Sequence, residues 1–261
     1  IYIRELPRCT STPSLQFADD TSLFETDHSV DVIKDKLSRG FQDVTDFCGE
    51  KSLSLNVTKT QFIVIKAARK RIPDNLMITL GNVDVPVVNS VRLLGFTIDR
   101  HLTFADHVRN TVHRCHGLLG SLRRAAPFLP KELLRLAYLA LIRSHLEYCS
   151  GMLISIAKTH SARLEVIQKI ASRIICSGPR NAHSAPFLEE LRLETLEKRR
   201  VKHVCDIVTN CLRGNCHPSF LEFFTRGTDG CILPTFQPAT ASGKKRFRYL
   251  ASQLYNEHYV Q

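Results

Sequence analysis

Apolar residues return every three or four positions through most of this chain and alternate with polar ones in a few short stretches. Val30, Ile33, Leu37, Phe41, Val44 and Phe47 share one stripe, so residues 28–50 are predicted to form an amphipathic helix with Asp27 as its N-cap. The alternation of Gln61 to Lys66 predicts a strand. Arg69-Lys70-Arg71 reads as a basic connector, and residues 77–80, a Gly81-Asn82 turn and residues 83–85 read as a hairpin. Residues 91–99 read as one further strand.

Helical periodicity takes over near residue 101. Thr103 and Asp106 resemble a capping box, and Phe104, Val108, Thr111, Cys115, Leu118 and Leu122 form the apolar stripe that follows. The opposite face carries Arg109, His113, His116 and Arg123, with Gly117 and Gly120 nearby, where absent side chains allow close approach of another backbone. Pro127 and Pro130 separate this helix from the next, 131–150, whose predicted inner side is Leu133, Leu134, Ala137, Leu141 and His145. A third helix, 160–177, turns Leu164, Ile167, Ala171 and Ile174 inward and Arg163, Lys169 and Arg173 outward, and Gly178-Pro179 stops it. Three helices with short loops predict a small bundle. Beyond it, 195–212 is a further helix with Lys198, Arg199, Arg200 and Lys202 offered to phosphates. Residues 234–243 read as a linker, and Lys244 to Tyr249 interleaves bases with aromatics, as a strand with a basic edge or a single-strand stacking platform would.

The strongest chemical signal lies near the start. Asp19 and Asp20 are adjacent carboxylates between Leu15, Phe17 and the run Thr21 to Phe24. In a strand, successive side chains point to opposite faces, so two neighbouring aspartates converge on one ion only at a sharp turn. Ala18 suits such a turn. Like charges this close repel, and Mg²⁺ or Mn²⁺, which take oxygen ligands, relieve the repulsion.

Phe17-Ala18-Asp19-Asp20-Thr21 resembles the aromatic-Ala-Asp-Asp signature of reverse transcriptases, specifically those of Jockey-like non-LTR retrotransposons. Other segments follow in that family's order. Residues 1–7 resemble the entry to the hairpin; Leu53 to Thr60, with its Leu-Asn and Lys-Thr pairs, resembles the next motif; Leu93 to Asp99 resembles the primer-grip hairpin; Leu141 to Cys149 resembles the thumb helix. The resemblance implies an α+β fold: a partial palm, an antiparallel sheet with a covering helix, over residues 1–100, an all-α thumb bundle over 101–180, and a helical extension with a basic tail over 181–261. It implies RNA-directed DNA polymerase chemistry, a two-metal phosphoryl transfer with Mg²⁺ (or Mn²⁺) held by Asp19 and Asp20 and with Lys59 near the leaving pyrophosphate. Phe17 and Ala18 would support the hairpin, Phe17 packing beneath it. Gly95 and Phe96 would lie under the primer end, and Arg109, His113, His116 and Arg123 would face nucleic acid. RNA template, DNA primer and dNTPs are the implied partners. A third, upstream aspartate and the fingers that the family carries have no match, so a truncated or decayed copy, inactive alone, is expected. A non-catalytic basic nucleic-acid-binding protein derived from such an element is the alternative.

Composition agrees with a piece of a globular enzyme. The 261 residues are 43% hydrophobic, enough to bury a core divided into two or three units. The most apolar stretch, 133–146, is interrupted by Arg135 and Arg143 and so does not read as a membrane span. Nine cysteines without framework spacing, and no signal peptide, point to a reducing, intracellular setting, nuclear or cytoplasmic. Cys205, Cys211, Cys216, His217 and Cys231 do not match a standard zinc spacing and read as core residues. The net charge of +11 is unevenly spread: residues 1–60 carry seven Lys or Arg against ten Asp or Glu, while the remainder carry 29 against 15. The basic part is the one suited to a polyanion. Phosphate-loop, nucleophile-elbow and zincin motifs are absent from the sequence.

Overall fold

The computed structural model describes residues 3–67, 76–80, 83–227, 231–234, 238 and 243–259. The basic connector Arg69-Lys70-Arg71 and the Gly81-Asn82 turn lie outside the described residues. The chain divides into two compact units, residues 1–92 and 93–261, so the expected 101–180 and 181–261 segments fall in one unit.

In the first unit a short helix α1 (Leu6–Cys9) precedes a hairpin of β1 (Ser14–Phe17) and β2 (Asp20–Leu23), then the long helix α2 (Val30–Glu50) and a second hairpin of β3 (Met77–Leu80) and β4 (Val83–Pro86). The predicted stripe of α2 is the one that packs: Leu37, Phe41, Val44 and Phe47 are buried, the first two with Ile78 and Val85, the last two with Leu6. Leu23 touches both clusters and ties the first hairpin to the helix. Ser29, not Asp27, occupies the N-cap position of α2; Asp27 instead accepts the Ser29 amide at 3.0 Å, an Asx turn just outside the helix. The strand expected at 61–66 does not form. Only Phe62 bridges Val87, its carbonyl accepting from Val88 N at 2.8 Å, because the other alternating positions find no neighbouring edge to pair with.

Residues 91–99 form two strands rather than one, β5 (Ser90–Leu93) and β6 (Phe96–Asp99), reversed at Leu94 and Gly95, both at positive φ (48° and 83°). Two consecutive left-handed residues are the requirement of a two-residue hairpin turn, and glycine supplies the second at little cost. Among the described residues every strand pairs only with its hairpin partner.

The second unit is mainly helical. Helix α3 (Ala105–Ala125) packs on α6 (Lys158–Ile175), with α4 (Lys131–Ala137), a π-helical stretch Tyr138–Arg143 and α5 (Ser144–Leu146) forming one continuous rod between them in sequence. Phe104 in left-handed backbone (φ 56°), rather than a Thr103–Asp106 box, starts α3. Asp99 organises that start, accepting from the amides of His101, Thr103 and Phe104 at 2.5–3.1 Å.

The buried side of the central rod is Leu134, Tyr138, Ile142 and Leu146, while Leu133 and Leu141 are exposed. The buried positions recur every four residues, one position later than the predicted Ala137, Leu141 and His145, and the offset is already present in α4, ahead of the π-helical stretch. Burial makes Tyr138 a much weaker acid than usual, and its hydroxyl donates to Gln168 Oε1 at 2.6 Å. Gln168 Nε2 donates to Glu165 Oε1 and to the Glu194 carbonyl, both at 3.0 Å. Two further helices follow, α7 (Ala185–Glu190) and α8 (Leu196–Leu212), the latter capped by Thr195, which accepts from Lys198 N at 3.3 Å.

A second core in this unit joins Val204, Val208 and Cys211 of α8 to a short helix α9 (Pro218–Leu221), a hairpin of β7 (Phe224–Arg226) and β8 (Ile232–Pro234), and the last helix α10 (Phe247–Tyr259). The stretch 244–249 is therefore not a strand. Phe247 packs near Phe224 (6.5 Å between ring centroids) and Arg248 lies 3.9 Å over the Phe223 ring, so part of the basic-aromatic alternation is spent on internal packing. Cys205 and Cys211 are buried, and His217 caps α9 by accepting from Ser219 N.

Candidate metal centre and nucleic-acid face

The hairpin that carries the two aspartates is held by α2. Ser11 donates to Asp43 Oδ2 through its amide (2.7 Å) and hydroxyl (2.6 Å), and these bonds hold the Asp43 carboxyl below its usual range. Thr12, buried, donates to the Lys36 carbonyl at 2.9 Å. It lies so close to Gly40 that a Cβ there would sit 2.5 Å from Thr12 Cβ. These three anchors fix the entry to β1. The register then pairs Phe17 with Asp20 across a two-residue turn, Ala18-Asp19, with Ala18 in left-handed backbone (φ 52°). Asp19 thus occupies the turn and Asp20 opens β2.

Both aspartates are exposed, and no hydrogen bond or ion pair engages either carboxylate among the described residues. Two unpaired carboxylates at a reversal of chain have the donor chemistry a hard divalent cation requires. They are two ligands and no more: no group of three or more His, Cys, Asp or Glu gathers among the described residues. Lys59 stands on a 3-10 turn, Val57–Lys59, that Asn56 initiates by accepting from Thr58 Oγ1 (2.7 Å) and Lys59 N (3.3 Å). It does not begin a strand, and no ion pair joins it to either aspartate.

Phe17 does not pack beneath the hairpin. The pleat turns Leu15 and Phe17 to solvent, 60% and 64% exposed, and places Gln16 on the inner side, where its amide nitrogen is buried without a partner. The hairpin therefore leaves Leu15 and Phe17 open to solvent, while the inner side, which Leu23 packs on α2, holds one unsatisfied amide.

In the second unit, Gly95 is exposed at the tip of its hairpin while Phe96 is buried (4%), meeting Phe104 edge-on and His107 at a tilt, with centroids 5.3 and 4.0 Å away. Phe96 is a core residue and is not free to touch a ligand. Tyr148, whose part the sequence pattern did not reveal, donates its hydroxyl to the Leu94 carbonyl and lies 3.8 Å from the position a Gly95 Cβ would take. It fixes the turn from the end of the central rod. Arg109, His113, His116 and Arg123 line one exposed side of α3, at successive spacings of four, three and seven. Arg109 pairs with Asp106 at 2.7 Å on the surface, which offsets part of its charge. Of the four basic residues early in α8, Lys198 and Lys202 stay exposed; Arg199 is engaged by Glu147, and Arg200 is buried against Ser161.

The known proteins that this chain resembles come from mobile elements. It is 28% identical over 108 residues to the 115 kDa protein of the type-1 retrotransposable element R1DM of Drosophila melanogaster, covering 41% of this chain and 10% of that protein. It is 23% identical over 192 residues to a Drosophila melanogaster protein named as RNA-directed DNA polymerase from transposon BS, covering 72% of this chain and 21% of that protein. Its curated relatives are thus retrotransposon proteins, an RNA-directed DNA polymerase among them, and the chain spans between a tenth and about a fifth of their length. No protein-family profile matches, and no solved structure matches.

Proposed function

We propose that this chain is the palm and thumb segment of a retrotransposon reverse transcriptase, and that Asp19 and Asp20 are metal ligands for RNA-templated DNA synthesis. The observation that carries the reading is the pair of unengaged carboxylates at the reversal of a hairpin whose entry is clamped to α2. The relative named an RNA-directed DNA polymerase supports it. Asp19 and Asp20 would hold a divalent cation, which when bound would supply charge neutralisation at the transferring phosphate and a lowered pKa for a primer hydroxyl. Asp19 and Asp20 orient that charge, Lys59 offers a cation for the leaving pyrophosphate, and the basic side of α3 holds the template–primer duplex. Two carboxylates do not complete a two-metal site, so the described residues need a third acidic ligand and a strand over Leu15 and Phe17. Alone they bind nucleic acid without copying it.

The test is primer extension on an RNA template by an element polymerase that contains this segment. Asp19→Asn or Asp20→Asn is expected to lower the rate by about 10³-fold or more while leaving duplex affinity within about twofold, since carboxylates contribute to the transition state rather than to ground-state binding. Extension that survives both changes would favour a non-catalytic binding protein, a reading that the absence of a third ligand among the described residues also supports.

A further inference from the structure

The second unit contains a cleft of about 820 Å³ between the later halves of α3 and α6. Its floor includes Val166, 47% exposed, and Ile170, and its wall on α3 is opened by Gly120, where an added Cβ would meet only Arg124 Nη1 at 3.7 Å. Arg123, Arg173 and Arg180 stand around it, and no Asp or Glu is among the described residues that line it. Arg173 is fixed there by its Nε, which donates to the Ala182 carbonyl at 2.9 Å. Two helices end beside the cleft, at Ala125 and Ile175, and each C-terminus brings about half a negative charge. Three guanidinium groups exceed that by about two charges.

The lining is mainly aliphatic and cationic, and its one aromatic ring is the His116 imidazole at the edge, with no Phe or Tyr on its floor. A nucleic-acid strand gains its affinity from phosphate neutralisation and from stacking on rings, and it would leave Val166 and Ile170 uncovered. An amphipathic helix uses both features, burying aliphatic side chains at roughly 25 cal/mol per Å² and setting carboxylates against the guanidinium groups.

We propose that this cleft docks an acidic amphipathic helix of a protein partner. The site goes beyond the polymerase reading and shares only its Arg123 and His116 edge with the nucleic-acid face.

The experiment titrates the full chain with a fluorescent synthetic helix of about 18 residues, leucines at i, i+3, i+4 and i+7 and glutamates elsewhere. A control peptide carries lysine for glutamate. The glutamate peptide is expected to bind at micromolar concentration. Val166→Glu and Arg180→Glu each weaken it about tenfold or more, Leu136→Glu on an exposed surface of the central rod does not, and the lysine peptide does not bind. Val166→Glu leaves RNA–DNA duplex affinity unchanged, which separates this proposal from the polymerase reading. Gly120→Leu, which projects into the cleft from a position where a Cβ meets only Arg124 Nη1 at 3.7 Å, provides the same loss of peptide binding should Val166→Glu unfold. No binding of the glutamate peptide near millimolar concentration, equal binding of both peptides, or loss of duplex affinity in Val166→Glu, which would make the cleft a nucleic-acid site, overturns the proposal.

Discussion

Gly40 sits where α2 presses on Thr12, and the contact leaves no room for a methyl group. Gly40→Ala gains helix propensity of about 1 kcal/mol but overpacks a β-branched neighbour at roughly 1–3 kcal/mol. A net loss of up to about 2 kcal/mol in urea unfolding is expected, where an unhindered helix glycine would show a gain. Ala18 behaves oppositely. Its left-handed backbone costs an alanine roughly 1 kcal/mol, so Ala18→Gly is expected to leave stability unchanged or raise it by about that amount. At this scale Asp19 and Asp20 were legible because adjacent acids beside a small residue carry their chemistry locally. Thr12, Gly40 and Asp43 were not, since each acts through a partner more than twenty positions away. Phe96 was misread for a related reason: a hairpin tip exposes its turn residues, and the next side chain belongs to the core.

Elements with a long uninterrupted stripe were readable. Helices predicted at 28–50, 160–177 and 195–212 form within a few residues of those bounds, because α-helical spacing and burial agree along each. The central rod was readable as a helix but not in its phase, because apolar residues lie at adjacent positions, Leu133 and Leu134, and spacing alone does not choose between them, and 61–66 failed because alternation alone supplies no pairing partner. Two outcomes follow at this level. Tyr138→Phe leaves the buried Gln168 carbonyl without its donor and should cost about 1–3 kcal/mol in denaturant melts, with little change in helix content.

The second concerns acid. His107 is buried, accepts from Thr97 N at 3.4 Å, and is held below its ordinary value of 6.5 by desolvation; His145 is lowered by burial and Arg114. A base with a depressed folded pKa stabilises the fold fully above the unfolded value, and that contribution erodes as pH falls from about 6.5 toward the folded value. Asp99 responds lower. Burial raises its pKa, but the amides of Thr103, His101 and Phe104 outweigh that and hold it below 3.8, so its contribution is lost only under stronger acid. Unfolding free energy should therefore decline between pH 7 and 5, and His107→Gln should flatten that decline while leaving the step below pH 4.

Across the whole chain the uneven charge is the plainest feature of the sequence, and the described surface keeps four basic side chains on one side of α3. Neutralising Arg109 and Arg123 together should reduce the slope of log K against log salt for duplex binding by somewhat less than two, because Arg109 already shares its charge with Asp106. Composition could not locate the basic residues that are spoken for: Arg199 and Arg200 lie in a basic run yet are consumed by Glu147 and Ser161. Nor could it reveal the open face of the first hairpin, which depends on which way a four-residue pleat turns.

The claim on which the rest depends is that Asp19 and Asp20 share a divalent cation, and paramagnetic relaxation by Mn²⁺ tests it most directly. In amide spectra of this chain, Mn²⁺ in the millimolar range expected of a site short of ligands should broaden residues 18–21 first, and Asp20→Asn should abolish the effect. Broadening that begins elsewhere, or that persists at the hairpin in Asp20→Asn, would contradict the account.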